Sequence, residues 1–317
     1  MPPSPPVIHT DGLTKRFDRH VAVNEVDLDI NAGDVYGLIG PNGAGKTTLI
    51  RMLAAAEAPT KGEIYIDGDR LQLNHDNPIL KQRIGYLPDD FPVYDDLTVW
   101  DYLDYFARLY NLRATPRRRR LYEVLELVQL HTKRHSRIAT LSRGMKQRLS
   151  LARTIIHEPM ILFLDEPVSG LDPIARLQFR SSIKTLQAAG MTIVISSHVL
   201  SDLAELCTSI GVMELGCLVE SASLADLYHR LGHQQLVIAT QRDRAALIAA
   251  IRDHPQVVRW ELESDERALR VDFSGNPDDA AALLRDLVQR GLPISTFTPT
   301  QDSLESLFFK LGHQQVS

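Results

Sequence analysis

The sequence has little cysteine and lacks both a long apolar run and a strong excess of one charge. Its 317 residues include two cysteines, Cys207 and Cys217. Two are too few for a disulfide framework or a zinc cluster, which favours a reducing compartment. No stretch approaches the ~20 apolar residues that span a bilayer, and residues 1–6 lack the basic and apolar regions of a signal peptide. We therefore expect a soluble, intracellular chain with a disordered tail at residues 1–6.

The charge balance is only mildly acidic, since 35 Lys and Arg against 40 Asp and Glu give a net charge of −5. This balance argues against a protein that covers nucleic acid with positive charge. One basic run, Arg117 to Arg120, forms the start of a predicted helix at residues 118–130, and no aromatic side chain interleaves with it. A solvated helical turn explains the run better than nucleic-acid binding, so no nucleic-acid partner is expected.

Apolar patterning alternates between strand and helix periods over much of the chain. Apolar runs at residues 35–40, 160–164 and 191–195 predict buried strands. Helices are predicted at residues 47–56 and 173–189, and the second connects two of these strands. Strand, crossover helix and strand in this order are typical of a parallel α/β core.

A glycine-rich motif follows the first of these strands. Residues 40–47 read Gly-Pro-Asn-Gly-Ala-Gly-Lys-Thr, which fits the phosphate-loop pattern G-x-x-x-x-G-K-[ST] between a strand and a helix. The glycines let backbone N–H groups converge on phosphates, while Lys46 meets the β- and γ-phosphates and the Thr47 hydroxyl binds Mg²⁺. The motif therefore predicts a bound nucleotide.

Two carboxylates, Asp165 and Glu166, follow the apolar strand at residues 160–164. Beside the phosphate loop, Asp165 is placed to hold the Mg²⁺ shell and Glu166 to polarise a water for in-line attack on the γ-phosphate. The pair is a weak signal by itself, because many strands end in acidic residues. The upstream phosphate loop makes it a strong one.

Residues 7–221 resemble the nucleotide-binding subunit of an ABC transporter, because further motifs stand in that family's order. They are an aromatic at the adenine-stacking position, a Q-loop equivalent, a signature, a D-loop and a switch histidine: Phe17, residues 84–89, residues 141–148, residues 169–172 and His198. The resemblance implies a P-loop ABC ATPase core of α/β class, with ATP and Mg²⁺ as cofactors.

The resemblance also implies a role for each matching residue. Glu166 is expected to be the general base, His198 to sense the γ-phosphate, and the signature of a second copy to close over the nucleotide. The expected catalytic residues are Glu166, His198, Lys46 and Asp89, and the expected metal ligands are Thr47, Asp165 and Asp89. The expected nucleotide-binding residues are Phe17, Gly40, Asn42, Gly43, Gly45, Lys46, Thr47, Thr48, Ser142, Gly144 and Asp172.

Two motifs depart from the family pattern. Asp89 stands where the family usually has Gln, which keeps a possible ligand for Mg²⁺ or water but adds negative charge. The signature reads Leu-Ser-Arg-Gly-Met, so Arg143 and Met145 are unusual, whereas the phosphate-facing Ser142 and Gly144 are kept. Both departures resemble the drug- and antibiotic-exporter branch, whose permeases are separate multi-span proteins.

Two further regions accompany the predicted core. Residues 91–158 are mostly helical in pattern and form the expected inserted helical subdomain. Its aromatics Phe91, Tyr94 and Trp100 are expected in an exposed patch that receives a permease helix, whereas Tyr102 and Phe106 are expected to pack inside.

After an expected linker at residues 222–235, residues 236–317 show a βαββαβ order, which indicates an α+β ferredoxin-like module. Its last predicted helix, residues 303–311, carries an apolar stripe that fits either a clamp between two copies or closure of the module's own sheet. A small-molecule sensor and a dock for a permease are the other roles left open.

Taken with the resemblance, these features predict an ATPase subunit that powers a separate membrane permease, an exporter, from the cytoplasmic face of the cell membrane. One phosphate loop and one signature per chain imply a homodimer through the ATP sites. The alternative is a soluble ABC ATPase that acts in regulation, in resistance, or on nucleic acid or ribosomes without a permease. The single cassette, with about a hundred residues between Lys46 and Ser142, disfavours the nucleic-acid and ribosome types. The transported substrate would be selected by the permease.

Overall fold

The computed structural model describes residues 5–72, 78–90, 92–199, 203, 206–231, 234–242, 244–262 and 268–300. Some of the sequence predictions fall outside these ranges, namely those for residues 1–4, for Phe91 and for the last helix at residues 303–311. The chain divides into two compact units, residues 1–223 and residues 224–317. None of the helices in the described ranges combines the length and the apolar character needed to cross a membrane.

The first unit contains two sheets and a group of helices. Its elements in chain order are β1 (Ile8–Phe17), β2 (His20–Ile30), β3 (Val35–Ile39), α1 (Lys46–Leu53), β4 (Lys61–Ile66), β5 (Asp69–Arg70), α2 (Pro78–Gln82), β6 (Ile84–Leu87), α3 (Val99–Leu109), α4 (Ala114–Leu127), α5 (Arg143–Thr154), β7 (Ile161–Leu164), α6 (Pro173–Ala188), β8 (Thr192–Ser197), β9 (Ser209–Glu214) and β10 (Cys217–Ser223).

The larger sheet has the strand order β10-β9-β3-β8-β7-β6. Its pairs are parallel except for β9 with β10, which form an antiparallel hairpin. Every residue of β3, β7 and β8 is buried, as in parallel strands that are covered on both faces. Because β8 separates β3 from β7, the carboxyl ends of three strands lie side by side at one edge, where the phosphate loop and the two carboxylates emerge.

The smaller sheet is antiparallel, with the order β2-β1-β4-β5. Strands β1 and β2 form a hairpin in which Phe17 pairs with His20 across a two-residue turn. Asp18, in that turn, has a left-handed backbone with φ 46°, a conformation that Asp tolerates better than most residues. Apolar side chains of both sheets and of α1 share one core, so the hairpin is held in a fixed position relative to the phosphate loop.

Helices α3 to α5 lie between β6 and β7 in the chain. Thr98 caps α3 by accepting a hydrogen bond from the backbone N–H of Asp101. The predicted packing of Tyr102 inside this region is also found, since its ring is fully buried. Tyr94 is 52% exposed and Trp100 is half-buried against Tyr122, so the predicted aromatic patch is exposed at Tyr94 and only in part at Trp100.

The expectation of a solvated turn at the basic run was wrong for two of its four arginines. Helix α4 begins at Ala114, four residues before the predicted start, which places the run inside the helix. Arg117 Nε donates to Asp104 of α3 at 2.7 Å, and Arg120 Nη2 donates to the carbonyl of Ile155 at 2.7 Å. These two arginines therefore tie α4 to its neighbours, whereas Arg118 and Arg119 are exposed.

The second unit contains one antiparallel sheet and three helices within the described ranges. Its elements are α7 (Leu224–Leu231), β11 (Gln234–Thr240), α8 (Arg244–Arg252), β12 (Val257–Leu262), β13 (Ala268–Phe273), α9 (Pro277–Gln289) and β14 (Ile294–Thr300). The strand order is β12-β13-β11-β14. This unit has a core of its own, which includes Leu236, Leu247 and Phe273. The segment expected as a linker, residues 222–235, contains the end of β10, all of α7 and the start of β11.

Candidate active site

A cavity of about 500 Å³ opens where the phosphate loop meets the ends of β7 and β8. Most of the residues predicted for nucleotide binding and catalysis line it, and these are Phe17, Asn42, Gly43, Gly45, Lys46, Thr47, Thr48, Asp89, Glu166 and His198. Two further lining residues, Ala44 and Ser169, belong to the predicted phosphate loop and D-loop, whereas sequence reasoning missed His20 and Ala22. His20 reaches the cavity because the hairpin register sets it opposite Phe17.

The phosphate loop takes its shape from glycines in left-handed backbone conformations. Gly43 and Gly45 have φ values of 82° and 102°, which side chains other than glycine rarely adopt. A Cβ at Gly45 would also lie 2.3 Å from the carbonyl oxygen of Ala22. Helix α1 begins directly after Gly45 without a side-chain cap, so its first backbone N–H groups remain available to an anion.

The Lys46 side chain is buried beneath this loop and is only 6% exposed. Its Nζ donates to the carbonyl oxygens of Gly40 at 2.8 Å and Pro41 at 3.2 Å. These contacts hold the ammonium group inside the curve of the loop. A phosphate bound by the loop would therefore meet a fixed cation.

Asp165 is buried at the end of β7 and accepts two hydrogen bonds from hydroxyl groups. Ser196 Oγ donates to its Oδ1 at 2.7 Å, and Thr47 Oγ1 donates to the same oxygen at 3.1 Å. Burial raises the pKa of the Asp165 carboxyl, the two hydrogen bonds oppose that rise, and the charges of Asp89 and Glu166 add to it. A cation at this point would relieve the crowding of negative charge.

The donor set fits Mg²⁺, which prefers oxygen ligands and keeps several positions for water and phosphate. The Thr47 hydroxyl and the Asp165 carboxylate supply two hard oxygen atoms that already lie within hydrogen-bond distance. In the described part of the chain, no group of three or more His, Cys, Asp or Glu side chains could hold a metal ion by itself. A cation bound here would need further oxygens from its ligand, as Mg²⁺ does in nucleotide sites.

Glu166 lies between a cation and an imidazole. Its Oε1 is 3.7 Å from Lys46 Nζ, and its Oε2 is 2.8 Å from His198 Nδ1. The backbone N–H of Glu166 donates to Ser196 Oγ at 2.9 Å, which fixes the residue to the adjacent strand β8. Its φ of 47° is unusual for a residue other than glycine, and such strain is concentrated at functional sites. The carboxylate is therefore held at one position over the phosphate loop.

Asp89 follows β6 and brings another carboxylate to the cavity. Loss of solvation raises the pKa of the Asp89 carboxyl, and the charge of Glu166 raises it further. Electrostatic interactions with Arg143 and His198 oppose this rise in the Asp89 pKa. Asp89, Asp165 and Glu166 thus place three carboxylates around the phosphate loop, a surplus of negative charge that suits a divalent cation.

Phe17 stands at the rim of the cavity with its ring 44% exposed, which is unusual for a large aromatic side chain. Lys15 Nζ lies 4.8 Å from the centre of the ring. An exposed ring at the edge of a polar cavity is the arrangement that stacking on a nucleobase requires.

The remaining predicted residues do not line this cavity within the described part of the chain. Ser142 Oγ caps α5 by accepting from Met145 N–H, Gly144 is buried in the first turn of that helix, and Asp172 caps α6. Their predicted contact with a nucleotide would need a second copy and stays a prediction. The unusual Arg143 reaches the D-loop of its own chain, where its Nη2 donates to the Ser169 carbonyl at 3.3 Å.

The chain is similar in sequence and fold to known proteins. Residues 23–169 match the sequence model of the ABC transporter family. The chain is 33% identical over 309 residues to the uncharacterized ABC transporter ATP-binding protein YxlF of Bacillus subtilis, with 97% of this chain and 100% of that protein covered. It is 34% identical over 307 residues to the bacitracin transport ATP-binding protein BcrA of Enterococcus faecalis, covering 96% of each. A solved ATP-binding subunit of an ABC transporter superposes with a TM-score of 0.63 at 29% identity, over 71% of this chain and 93% of that one.

Proposed function

Because this chain belongs to the ABC transporter family of ATP-binding proteins, we propose that it binds ATP with Mg²⁺ in the cavity described above and hydrolyses it there. The observation that carries this proposal is the position of Glu166, whose carboxylate lies between Lys46 and His198 above the phosphate loop. The adenine ring stacks on Phe17, and the phosphates lie against the loop and the start of α1.

In the proposed reaction, Glu166 accepts a proton from the attacking water while the new bond to the γ-phosphorus forms and the bond to the β–γ bridging oxygen breaks. His198 holds one oxygen of the Glu166 carboxylate, so the other oxygen faces the water. Lys46 keeps a positive charge beside the β- and γ-phosphates. When bound, Mg²⁺ neutralises charge that develops on the phosphate oxygens.

The residues proposed to hold Mg²⁺ are Thr47 and Asp165, with Asp89 acting through a water. Phosphate release from ATP by the purified chain should therefore stop when divalent cations are removed with EDTA, and it should return when Mg²⁺ is restored. A colorimetric assay of released phosphate measures both steps. Hydrolysis at an unchanged rate without a divalent cation would contradict the proposed metal site.

The departure at Asp89 leads to a second test. We expect Asp89→Gln, which restores the family's usual side chain, to change the basal ATPase rate by less than about tenfold, or 1.4 kcal/mol. Asp89→Lys should be severe, because it sets a second ammonium group against the metal. Steady-state phosphate release at saturating Mg-ATP compares the two variants. Equal and negligible effects would show that residue 89 does not face the metal.

Two copies are proposed to complete two ATP sites. Ser142 and Gly144 lie away from the cavity of their own chain, which supports their action on the nucleotide of a partner copy. Asp172, in the D-loop, is proposed to act at the same interface between the two copies. The shared site would make dimerisation depend on bound ATP.

A separate transmembrane permease is the proposed partner, and the chain would then work at the cytoplasmic face of the cell membrane. The bacitracin transport protein is similar to this chain over nearly its whole length, and its name favours transport over the alternative of an ATPase without a permease. In the described ranges, no helix could itself cross a membrane, so the translocation path would be formed by the other subunit.

We further propose that residues 91–158 form an inserted helical subdomain of an ATPase domain at residues 7–221, and that residues 236–317 form a ferredoxin-like module. Support for the first comes from α3, α4 and α5, which stand between two neighbouring strands of the larger sheet. Support for the second comes from the βαββαβ order and from the central position of β11 and β13 in its sheet.

A further inference from the structure

A second cavity of about 500 Å³ lies among the helices of the first unit. It shares no lining residue with the candidate active site. Its walls come from α3, from α4 and from residues 134 and 135, which precede the signature. Part of the basic run at Arg117 and Arg118, which the proposed ATPase reaction does not use, belongs to this cavity.

The charge of the cavity is opposite to that of the whole chain. Four guanidinium groups line it, those of Arg108, Arg117, Arg118 and Arg134, against the single carboxylate of Asp104. The chain as a whole carries a net charge of −5. A concave site with one sign of charge concentrates field lines and attracts ligands of the opposite sign.

The arginines are held in place by contacts that leave donors unused. Asp104 accepts from Arg108 Nε and Arg117 Nε, each at 2.7 Å. Arg134 donates to the carbonyl of His131 at 3.0 Å and has no carboxylate partner in the described part of the chain. The Arg118 side chain has neither a hydrogen-bond nor an ion-pair partner among the described residues. Since a guanidinium carries five N–H donors, both Arg118 and Arg134 have donors free for an anion.

Two aromatic rings form a wall of the same cavity. The centres of the Trp100 and Tyr122 rings lie 5.0 Å apart, with their planes tilted by 57°. Tyr122 lies one helical turn after Arg118 on α4, and Trp100 comes from α3, which is distant along the chain. The fold brings aromatic surface and guanidinium groups together, a combination that binds anions with an apolar part.

We propose that this cavity binds a phosphate-bearing ligand, with Arg118 and Arg134 as its principal contacts. A phosphate group presents several oxygens and more than one negative charge. It can therefore accept hydrogen bonds from several guanidinium groups, whereas a single carboxylate cannot satisfy all four. The same chemistry occurs in free phosphate compounds and in the headgroups of anionic lipids. A bound ligand would bridge α3, α4 and the segment before the signature, and so it would stiffen the chain between Asp89 and Ser142.

The test uses Trp100 as a reporter within the site. The full chain has two tryptophans, so Trp260→Phe leaves Trp100 as the only one. Inorganic pyrophosphate without divalent cations is titrated in one arm. Vesicles of phosphatidylglycerol in phosphatidylcholine are titrated in the other, with pure phosphatidylcholine as their control. We expect a saturable change in Trp100 emission in at least one arm.

Matched variants decide whether this response comes from the cavity. Replacing both principal arginines, Arg118→Gln with Arg134→Gln, should weaken the apparent affinity by about tenfold or more. Arg119→Gln is the control, because Arg119 is 84% exposed, pairs with Glu123 and lies outside the cavity. Lys46→Ala should keep the response, because the two cavities share no residue. Thermal unfolding checks that each variant is folded.

A response to pyrophosphate that the double variant loses supports a free phosphate ligand, and a response confined to phosphatidylglycerol supports a lipid headgroup. Absence of a response in both arms overturns the proposal. A response that the double variant keeps, or that Arg119→Gln weakens equally, also overturns it, because general attraction of charge then explains the binding. Loss of the response in Lys46→Ala would overturn it by placing the phosphate in the active site.

Discussion

Glu166→Gln is expected to keep ATP binding and to lower the rate of hydrolysis by about 10²–10⁴-fold, the usual contribution of a general base. The amide keeps the size of the side chain and a hydrogen-bond acceptor for His198, but it cannot take a proton from the attacking water. Phosphate release under single-turnover conditions measures the rate, and retention of labelled ATP measures binding. Glu126→Gln is a matched control, because Glu126 is exposed on α4, outside the cavity.

The same variant tests the proposed dimer. If hydrolysis separates the two copies, Glu166→Gln should accumulate as an ATP-bound dimer, which size-exclusion chromatography with Mg-ATP would detect. A variant that binds ATP but stays monomeric at micromolar concentration would contradict the shared site. A variant that hydrolyses ATP at the unmodified rate would instead contradict the role of Glu166.

Lys46→Ala should differ from Glu166→Gln by losing the nucleotide itself, with affinity for Mg-ATP lower by about two orders of magnitude. Lys46 Nζ is buried beneath the loop, and its charge-assisted contacts with phosphate are made already in the ground state. Equilibrium titration with a fluorescent ATP analogue measures the loss. Lys184→Ala, at an exposed position of α6, is the control. Unchanged affinity combined with slow hydrolysis would show that Lys46 acts only in the transition state.

Much of the site could be predicted from sequence because its motifs are local. The phosphate loop is a continuous segment in which the glycines, Lys46 and Thr47 are fixed by backbone geometry, and Asp165 and Glu166 directly follow a strand whose apolar run is plain. The strands and helices could be predicted for the same reason, because the period of their apolar residues is visible within a short stretch of sequence. The observed ends of these elements differ from the predicted ends by a few residues, because capping and packing also determine where an element begins. Helix α4, which begins at Ala114, is an example.

Tertiary structure decided the contacts between distant segments. The order β3-β8-β7 brings Lys46, Glu166 and His198 together, and the β1–β2 register adds His20 to Phe17 at the rim. Sequence by itself determined which residue types could bind a nucleotide, because backbone conformation and side-chain chemistry act locally. It did not determine which charges meet, because partners such as Arg117 with Asp104 depend on how whole helices and sheets bury their apolar faces against one another. The basic cavity of the first unit arises in this way, from a helix packing that no single segment encodes.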